Sequence, residues 1–199
     1  MKKEHILVIR FSALGDVAMT VPVVWALATQ YPDIRITVLS RKFARPLFDD
    51  LAPNVNFMEA DLKQEYHGVR GLNALYRRLV AKQFTKIADL HSVLRSDYLR
   101  MRFNLGRYRV EHINKHKNQR RKLISYKNKV RKQLPSSFEN CAEVFARLGY
   151  PVDIRQFRSI FPEEGGNLNL LPKEVGPKKS FETWIGIAPF AAHQGKIYP

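Results

Sequence analysis

Short apolar runs alternate with amphipathic stretches along most of the chain, and this alternation is its clearest structural signal. Four runs of β-branched and aliphatic residues predict buried strands. These predicted strands span residues 6–9, 34–39, 55–58 and 86–91. Apolar positions three and four residues apart predict helices between and after the strands. The predicted helices cover residues 43–51, 72–82, 94–103, 119–134 and 138–148, with an extended loop before the fourth.

Strands that alternate with helices imply parallel pairing and right-handed crossovers. The sequence therefore predicts an α/β protein with a doubly wound, mainly parallel, Rossmann-like sheet. The helix after the first strand contains Pro22, and proline fits best in a first turn. Either the regular helix begins near Thr20, or it starts earlier and is kinked.

Composition changes after the last predicted helix and divides the chain. Residues 1–161 carry the alternating pattern, whereas residues 162–182 are rich in glycine, proline and charge, as in a linker. A new apolar strand and loop occupy residues 183–199, which resemble the opening of a second sheet. A stable domain rarely ends there, so we expect this to be the start of a truncated second domain.

Cysteine usage and hydropathy limit the class of protein. The single cysteine, Cys141, cannot form an internal disulfide, which favours a reducing cytosol. The apolar run at residues 6–9 is too short for a signal peptide or a membrane span. Histidine and cysteine do not recur at metal-ligand spacing, so neither a metal nor another cofactor is expected.

Positive charge is concentrated in one segment. The formal net charge is +16, and residues 100–132 contain 13 lysines and arginines against one acid, Glu111. Such a field attracts a polyanion, which can be nucleic acid, an anionic membrane or a phosphorylated substrate. A solvated loop is the plain alternative. Aromatic residues are sparse here and no nucleic-acid-binding motif is visible, which argues against base recognition.

The loop after the first strand carries the candidate chemistry. It has one glycine, Gly15, so it matches neither a dinucleotide fingerprint nor a P-loop. Gly15 is expected to allow a tight turn or a close backbone approach. Asp16 has two interpretations: it caps or complements a helix N-terminus, or its carboxylate faces the ligand cleft and accepts a proton.

Three segments, in order along the chain, resemble one known family. IRFSALGDV (residues 9–17) followed by Pro22 resembles the N-terminal signature of glycosyltransferase family 9, the ADP-heptose:lipopolysaccharide heptosyltransferases. DLHSVLRS (residues 89–96) resembles that family's second acceptor-domain motif. GIAPFAAHQGKIYP (residues 186–199) resembles the opening of its donor domain.

The resemblance implies a GT-B arrangement, in which two Rossmann-like domains face each other across the active site. It makes Asp16 the general base on the acceptor hydroxyl. Candidate acceptor-binding residues lie in the first two motifs and in the basic segment: Arg10, Ser12, Gly15, Ser92, Arg95, Arg120 and Arg121. Lys196 matches the lysine that binds the donor phosphates, with His193 and Gln194 beside it. Relatives often have small hydroxyl residues where this chain has residues 191–194.

The implied function is inverting, metal-independent transfer of heptose from ADP-heptose to the inner core of lipopolysaccharide. The expected partners are this nucleotide-sugar donor, a phosphorylated glycolipid acceptor and the inner membrane as a peripheral surface, but not nucleic acid. The expected location is the bacterial cytoplasm. The alternatives are a nucleic-acid or anionic-surface binding module, or a silent acceptor-like domain. The chain alone is expected to be inactive, because it holds at most the first donor loop.

Overall fold

The computed structural model describes residues 4–127, 129–160, 172–176, 179–185 and 197. The chain divides into two compact units, Met1–Ile160 and Phe161–Pro199. The described part of the second unit includes one short 3-10 helix, Lys173–Val175. The first unit contains the sheet and the candidate site, and only a part of the strand predicted at residues 183–188 falls within the described residues.

Five parallel strands form the sheet of the first unit, in the order β3-β2-β1-β4-β5. The strands are β1 (His5–Ile9), β2 (Arg35–Ser40), β3 (Val55–Glu59), β4 (Lys86–Asp89) and β5 (Arg109–His112). The central strand β1 ends level with both neighbours, since Ile9 pairs with Leu39 of β2 and with Asp89 of β4. The predicted doubly wound, Rossmann-like α/β fold is confirmed.

Helices follow the strands in the alternating order expected of this fold. They are α1 (Leu14–Ala18), α2 (Val21–Gln30), a 3-10 helix (Lys42–Leu47), α3 (Gly68–Val80), α4 (Leu94–Leu105), α5 (Lys117–Ile124) and α6 (Ser137–Arg147). Pro22 occupies the first turn of α2, which begins at Val21, directly after its N-cap residue Thr20. The regular helix therefore begins near Thr20 and is not kinked, and Asp16 stands ahead of it in the separate short helix α1.

The sheet is buried on both faces, which explains why its strands are almost continuously apolar. On one face, Ile6 and Val8 of β1 pack in a cluster with α2 and α6. On the other, Leu7 and Ile9 pack in a cluster with α3 and α4. Side chains alternate between the faces along each strand, so one apolar run supplies both cores.

Three predicted elements differ from the structure. The helix predicted at 43–51 is a shorter 3-10 helix, because Pro46 within it has no backbone N–H to donate. The helix predicted at 119–134 ends at Ile124; it buries no side chain, and its closely spaced like charges repel. The loop predicted before it contains β5, a strand with one aliphatic residue, Val110, which apolar periodicity does not reveal.

Candidate active site

The loops that leave the carboxyl ends of β1, β4 and β5 meet at one edge of the sheet. The chain reverses its winding direction between β1 and β4, since β2 and β3 lie on one side of β1 and β4 and β5 on the other. In open α/β sheets, ligands bind in the crevice at such a switch point. Asp16 follows β1, His91 and Ser92 follow β4, and Lys115 follows β5.

Arg10 ties the first two of these loops together. Its Nη1 donates a hydrogen bond to the carbonyl oxygen of Leu90, and its Nε donates to the carbonyl oxygen of Ser12 at 3.0 Å. Its Nη2 lies 2.6 Å from Oδ2 of Asp16. The Arg10 side chain is 11% exposed and that of Asp16 is 53% exposed, so a well-anchored cation orients an accessible carboxylate.

Asp16 is not the cap of its helix. The N-cap residue of α1 is Ala13, whose side chain makes no capping hydrogen bond. Asp16 lies in the first turn, where a negative charge complements the helix dipole. The capping interpretation is therefore wrong, whereas the first-turn position is confirmed. The carboxylate pairs with Arg10 and keeps access to ligand.

The structure places Gly15 in a helix and not in the tight turn that was expected. It lies within α1, and a Cβ added to it would meet no atom within 4 Å. The fold itself thus contains no tight turn or close contact that requires glycine here. The space beside Gly15 is open, so a close approach by a ligand stays a prediction.

Asp89 organises the loop after β4 from a fully buried position. Its Oδ1 accepts hydrogen bonds from the backbone N–H groups of His91 and Ser92, each at 2.9 Å, and its Oδ2 lies 3.5 Å from Nη1 of Arg100. Burial raises the pKa of the Asp89 carboxyl, while the two N–H donors oppose that shift. Asp89 therefore fixes the backbone of this loop and does not reach the crevice.

His91 connects that loop to the one carrying Asp16. Its Nε2 lies 3.3 Å from Oγ of Ser12, and its ring packs edge-on against Phe11. Burial, together with the positive charges of Arg10 and Lys115, lowers the pKa of His91 to about 4. The imidazole is consequently neutral at physiological pH. Sequence reasoning missed His91 as a site residue, although it lies between Asp89 and Ser92 of the quoted motif.

The predicted Ser92 and Arg95 contribute differently from the sequence-based expectation. Ser92 has a left-handed backbone (φ 46°), and its carbonyl oxygen accepts a hydrogen bond from Nζ of Lys115 at 2.9 Å. Arg95 is exposed in the first turn of α4 and does not line the cleft described below.

A cleft of about 990 Å³ lies beside Asp16 in the first unit. Loops after β1 and β5, helix α5 and the segment leading to α6 line it. Five lysines and arginines line it: Arg10, Lys115, Arg120, Arg131 and Lys132. Asp16 is the one acid among its lining residues. Burial and the charges of Arg10 and Lys117 lower the pKa of Lys115.

The structure thus brings together some of the predicted residues. Arg10, Asp16 and Arg120 line the cleft, whereas Ser12 and Arg121 do not; Ser12 contacts His91. Sequence reasoning placed Lys115, Arg131 and Lys132 in the basic segment without assigning them to a site. The predicted donor residues His193, Gln194 and Lys196 lie outside the described residues.

The described residues contain no cluster of three or more histidine, cysteine or acidic side chains that could hold a metal ion. No helix in this part of the chain is long and apolar enough to cross a bilayer.

The sheet order and the crevice at its switch point define a Rossmann-like α/β domain. Its fold is similar to that of the glycosyl transferase family 9 protein from Veillonella parvula DSM 2008, with a TM-score of 0.57 and 20% identity, covering 82% of this chain and 47% of that one. The E. coli heptosyltransferase WaaC with ADP matches with a TM-score of 0.52 and 19% identity, over 77% of this chain and 49% of that one.

The same heptosyltransferase with ADP-2-deoxy-2-fluoro heptose gives a TM-score of 0.54 and 17% identity, over 81% of this chain and 56% of that one. The chain therefore spans about half the length of these structures. No protein-family model matches the sequence. A comparison with curated proteins gives no match. The resemblance to glycosyltransferase family 9 is confirmed at the level of the fold.

Proposed function

We propose that this chain is the acceptor-binding half of an inverting glycosyltransferase. The proposed reaction moves heptose from ADP-heptose to the inner core of lipopolysaccharide without a metal. One observation carries the proposal: a half-exposed carboxylate, Asp16, is the one acid lining a cleft that five lysines and arginines also line. A basic cleft selects an anionic acceptor, and the carboxylate supplies the proton acceptor that transfer requires.

Inversion needs a base on the acceptor hydroxyl, on the side opposite the leaving diphosphate. In the proposed step, the hydroxyl oxygen forms a bond to the anomeric carbon as the bond from that carbon to the diphosphate breaks. The hydroxyl proton passes to Asp16, and the diphosphate leaves with the bonding electron pair. Arg10 holds the carboxylate from one side at 2.6 Å, which leaves its exposed side for the acceptor.

His91 acts in this proposal as a positioning residue. It is 7% exposed, and its Nε2 lies 3.3 Å from the hydroxyl oxygen of Ser12, in the loop that carries Asp16. Because its pKa is lowered to about 4, it adds no positive charge beside Arg10 and Lys115 at neutral pH. The neutral ring contacts the Asp16 loop through Ser12. Because it carries no charge, it does not compete with Arg10 for the Asp16 carboxylate.

Phosphate groups on the acceptor are the proposed counterpart of the cleft cations. Arg120, Arg131 and Lys132 are exposed and line the cleft, and Lys115 is half-buried within it. Arginine binds phosphate through two parallel hydrogen bonds and lysine binds it as a point charge. We therefore assign acceptor binding to these four residues, with Arg120 retained from the sequence-based set.

The proposed donor is a nucleotide-sugar, in keeping with the ligands named for the matching E. coli heptosyltransferase structures. Lys196, with His193 and Gln194, would hold the donor diphosphate. A lysine and loop N–H groups can stabilise the charge of a leaving diphosphate without a metal ion.

The test is a transfer assay on a longer protein in which this chain is joined to a donor-binding half. We expect ADP-heptose and a phosphorylated inner-core acceptor to give a product heavier by one heptose in mass spectrometry. Removing the acceptor phosphates should weaken transfer, since the cleft cations would lose their partners. If ADP-heptose and other nucleotide-sugars all gave no product with phosphorylated glycolipid acceptors, the proposed function would be wrong.

A further inference from the structure

We propose that the outer side of α5 and of the segment after it, meaning the residues there that do not line the cleft, docks the protein on an anionic lipid bilayer. The docking surface consists of four cations and two apolar side chains: Arg121, Lys122, Tyr126, Lys127, Lys129 and Val130. None of these residues lines the cleft that holds Asp16. The inference rests on the proposed function in one respect, since it places the protein at the bilayer where a glycolipid acceptor resides.

The charge of this region is uncompensated. Residues 117–132 contain eight lysines and arginines and no acid. Some arginines elsewhere in the first unit form ion pairs: Arg100 with Asp89 and Asp97, and Arg147 with Glu111 and Glu143. The cations of the docking surface have no ion pair among the described residues. Unpaired cations on one exposed segment attract the negative surface of an anionic leaflet.

Exposed apolar side chains lie among these cations. Tyr126 is 100% exposed and Val130 is 50% exposed, and Ile124 beside them is 81% exposed. The backbone N–H of Val130 donates to the carbonyl oxygen of Lys122 at 3.3 Å, which brings the loop back to the end of α5. Apolar groups of this kind enter the headgroup region of a bilayer while lysine and arginine bind lipid phosphates.

The cleft and the docking surface use different residues of α5. Arg120, Leu123 and Ile124 line the cleft and are three and four residues apart, so they share one side of the helix. Arg121 and Lys122 do not line it. Ile124 is both part of the cleft and highly exposed, which places the cleft mouth next to the docking surface. An acceptor held in the bilayer could then enter beside the bound surface.

The mixture of side chains favours lipid over nucleic acid. Proteins that bind single strands stack successive bases on several aromatic rings. Residues 117–132 contain one aromatic residue, Tyr126, whereas Ile124 and Val130 offer aliphatic surface that stacks no base. Aliphatic and basic residues together are typical of an interfacial membrane segment.

Vesicle co-sedimentation of the purified chain tests the proposal. The vesicles contain one part phosphatidylglycerol to two parts phosphatidylcholine, with pure phosphatidylcholine vesicles for comparison, at physiological salt. We expect binding to the anionic vesicles and little to the neutral ones. Arg121→Gln with Lys122→Gln should lower the partition coefficient roughly 30-fold. Tyr126→Ser with Val130→Ser should lower it about tenfold.

Matched variants on α3 control for charge and apolar area in general. Arg70→Gln with Arg77→Gln removes two exposed arginines, and Val69→Ser removes an exposed aliphatic side chain. These variants should bind as the unaltered chain does. All substituted side chains are exposed, and an unchanged thermal melt shows that each variant has folded.

Three results would overturn the proposal. They are equal or no binding to the two vesicle types, an unchanged partition coefficient for the Tyr126→Ser, Val130→Ser variant, or preferential binding of a single-stranded oligonucleotide over anionic vesicles. The assay contains neither donor nor acceptor sugar. Its failure would therefore leave the transfer proposal untouched, and a failed transfer assay would not remove an observed vesicle interaction.

Discussion

A buried histidine beside two cations gives the site a pH dependence at the scale of single residues. Burial and the charges of Arg10 and Lys115 lower the folded-state pKa of His91 from 6.5 to about 4. Between these values the unfolded chain binds a proton at His91 and the folded chain does not. Stability from this group is therefore present above pH 6.5 and lost as pH falls towards 4.

We expect His91→Gln to flatten the pH dependence of the free energy of unfolding. The contribution of His91 across this window is about 3 kcal/mol, at no more than about 1.4 kcal/mol per pH unit. Denaturant titrations at several pH values between 7 and 4 measure it. Burial also lowers the pKa of His5, so part of the slope should remain.

The exposed His67 supplies the matched control, and His67→Gln should keep the slope of the unaltered chain. Identical slopes for His91→Gln and the unaltered chain would show that His91 is not held neutral by its surroundings.

Arg120 provides the residue-scale test of acceptor recognition. It lines the cleft with Asp16, and no described residue pairs with it. In the longer protein, Arg120→Gln should raise the KM for a water-soluble phosphorylated acceptor about tenfold, the scale of one lost charge-assisted hydrogen bond. The kcat and the donor KM should change little. Steady-state kinetics with each substrate varied in turn separates these constants.

Arg70→Gln removes an equally exposed arginine on α3 and should leave the acceptor KM unchanged. If both variants changed the acceptor KM equally, the effect would come from net charge alone and the cleft assignment would fail.

At the scale of elements, two helical glycines differ in the space available for a side chain. A Cβ on Gly71 of α3 would lie 2.3 Å from the backbone carbon of Tyr66, whereas one on Gly15 of α1 would meet no atom within 4 Å. Alanine stabilises an open helical position by up to about 1 kcal/mol relative to glycine. The backbone of Tyr66 cannot move aside as a flexible side chain would.

We therefore expect Gly71→Ala to lower the free energy of unfolding by about 2–3 kcal/mol, the scale of an overpacked site. Gly15→Ala should leave it unchanged or raise it by up to about 1 kcal/mol. Urea denaturation of the two variants measures both. A stabilising Gly71→Ala would mean that α3 does not pack against the Tyr66 turn as described.

The elements found from sequence are those whose pattern reflects burial. The runs that become β1, β2 and β4 are apolar because helices cover both faces of the sheet. β5 at the edge is largely polar and gave no such signal. Helix α6 was predicted within one residue at each end, and in the structure Ser136 and Glu139 form a reciprocal cap at its start.

The candidate site was only partly predictable for a related reason. Asp16 could be predicted from local sequence, because it lies in the loop that directly follows the first strand. The contacts of His91 with Ser12 and of Lys115 with Ser92 join residues 79 and 23 positions apart, respectively. Such contacts depend on which strands are neighbours and not on local spacing. The division of α5 into a cleft side and an outer side likewise follows from the packing around it.

At the scale of the whole molecule, many of the cations behind the net charge of +16 fall into two sets. One set lines the cleft around Asp16, and a second set lies on the outer side of α5 and of the segment that follows it. A membrane-held, phosphorylated acceptor would use both sets. The chain spans about half the length of the matching glycosyltransferases, so this arrangement describes the acceptor side of the proposed reaction.

The turnover of Asp16→Asn in the longer protein tests most directly whether Asp16 is the base. Asparagine keeps the size of the side chain but cannot accept the proton, so turnover should fall by roughly 10²–10⁴-fold. The free energy of unfolding should change by less than about 1 kcal/mol, since the Asp16–Arg10 pair is half exposed on the Asp16 side. Asp33→Asn, at an exposed turn, should leave turnover unchanged. Transfer by Asp16→Asn at a rate near that of the unaltered protein would contradict the assignment of Asp16 as the base.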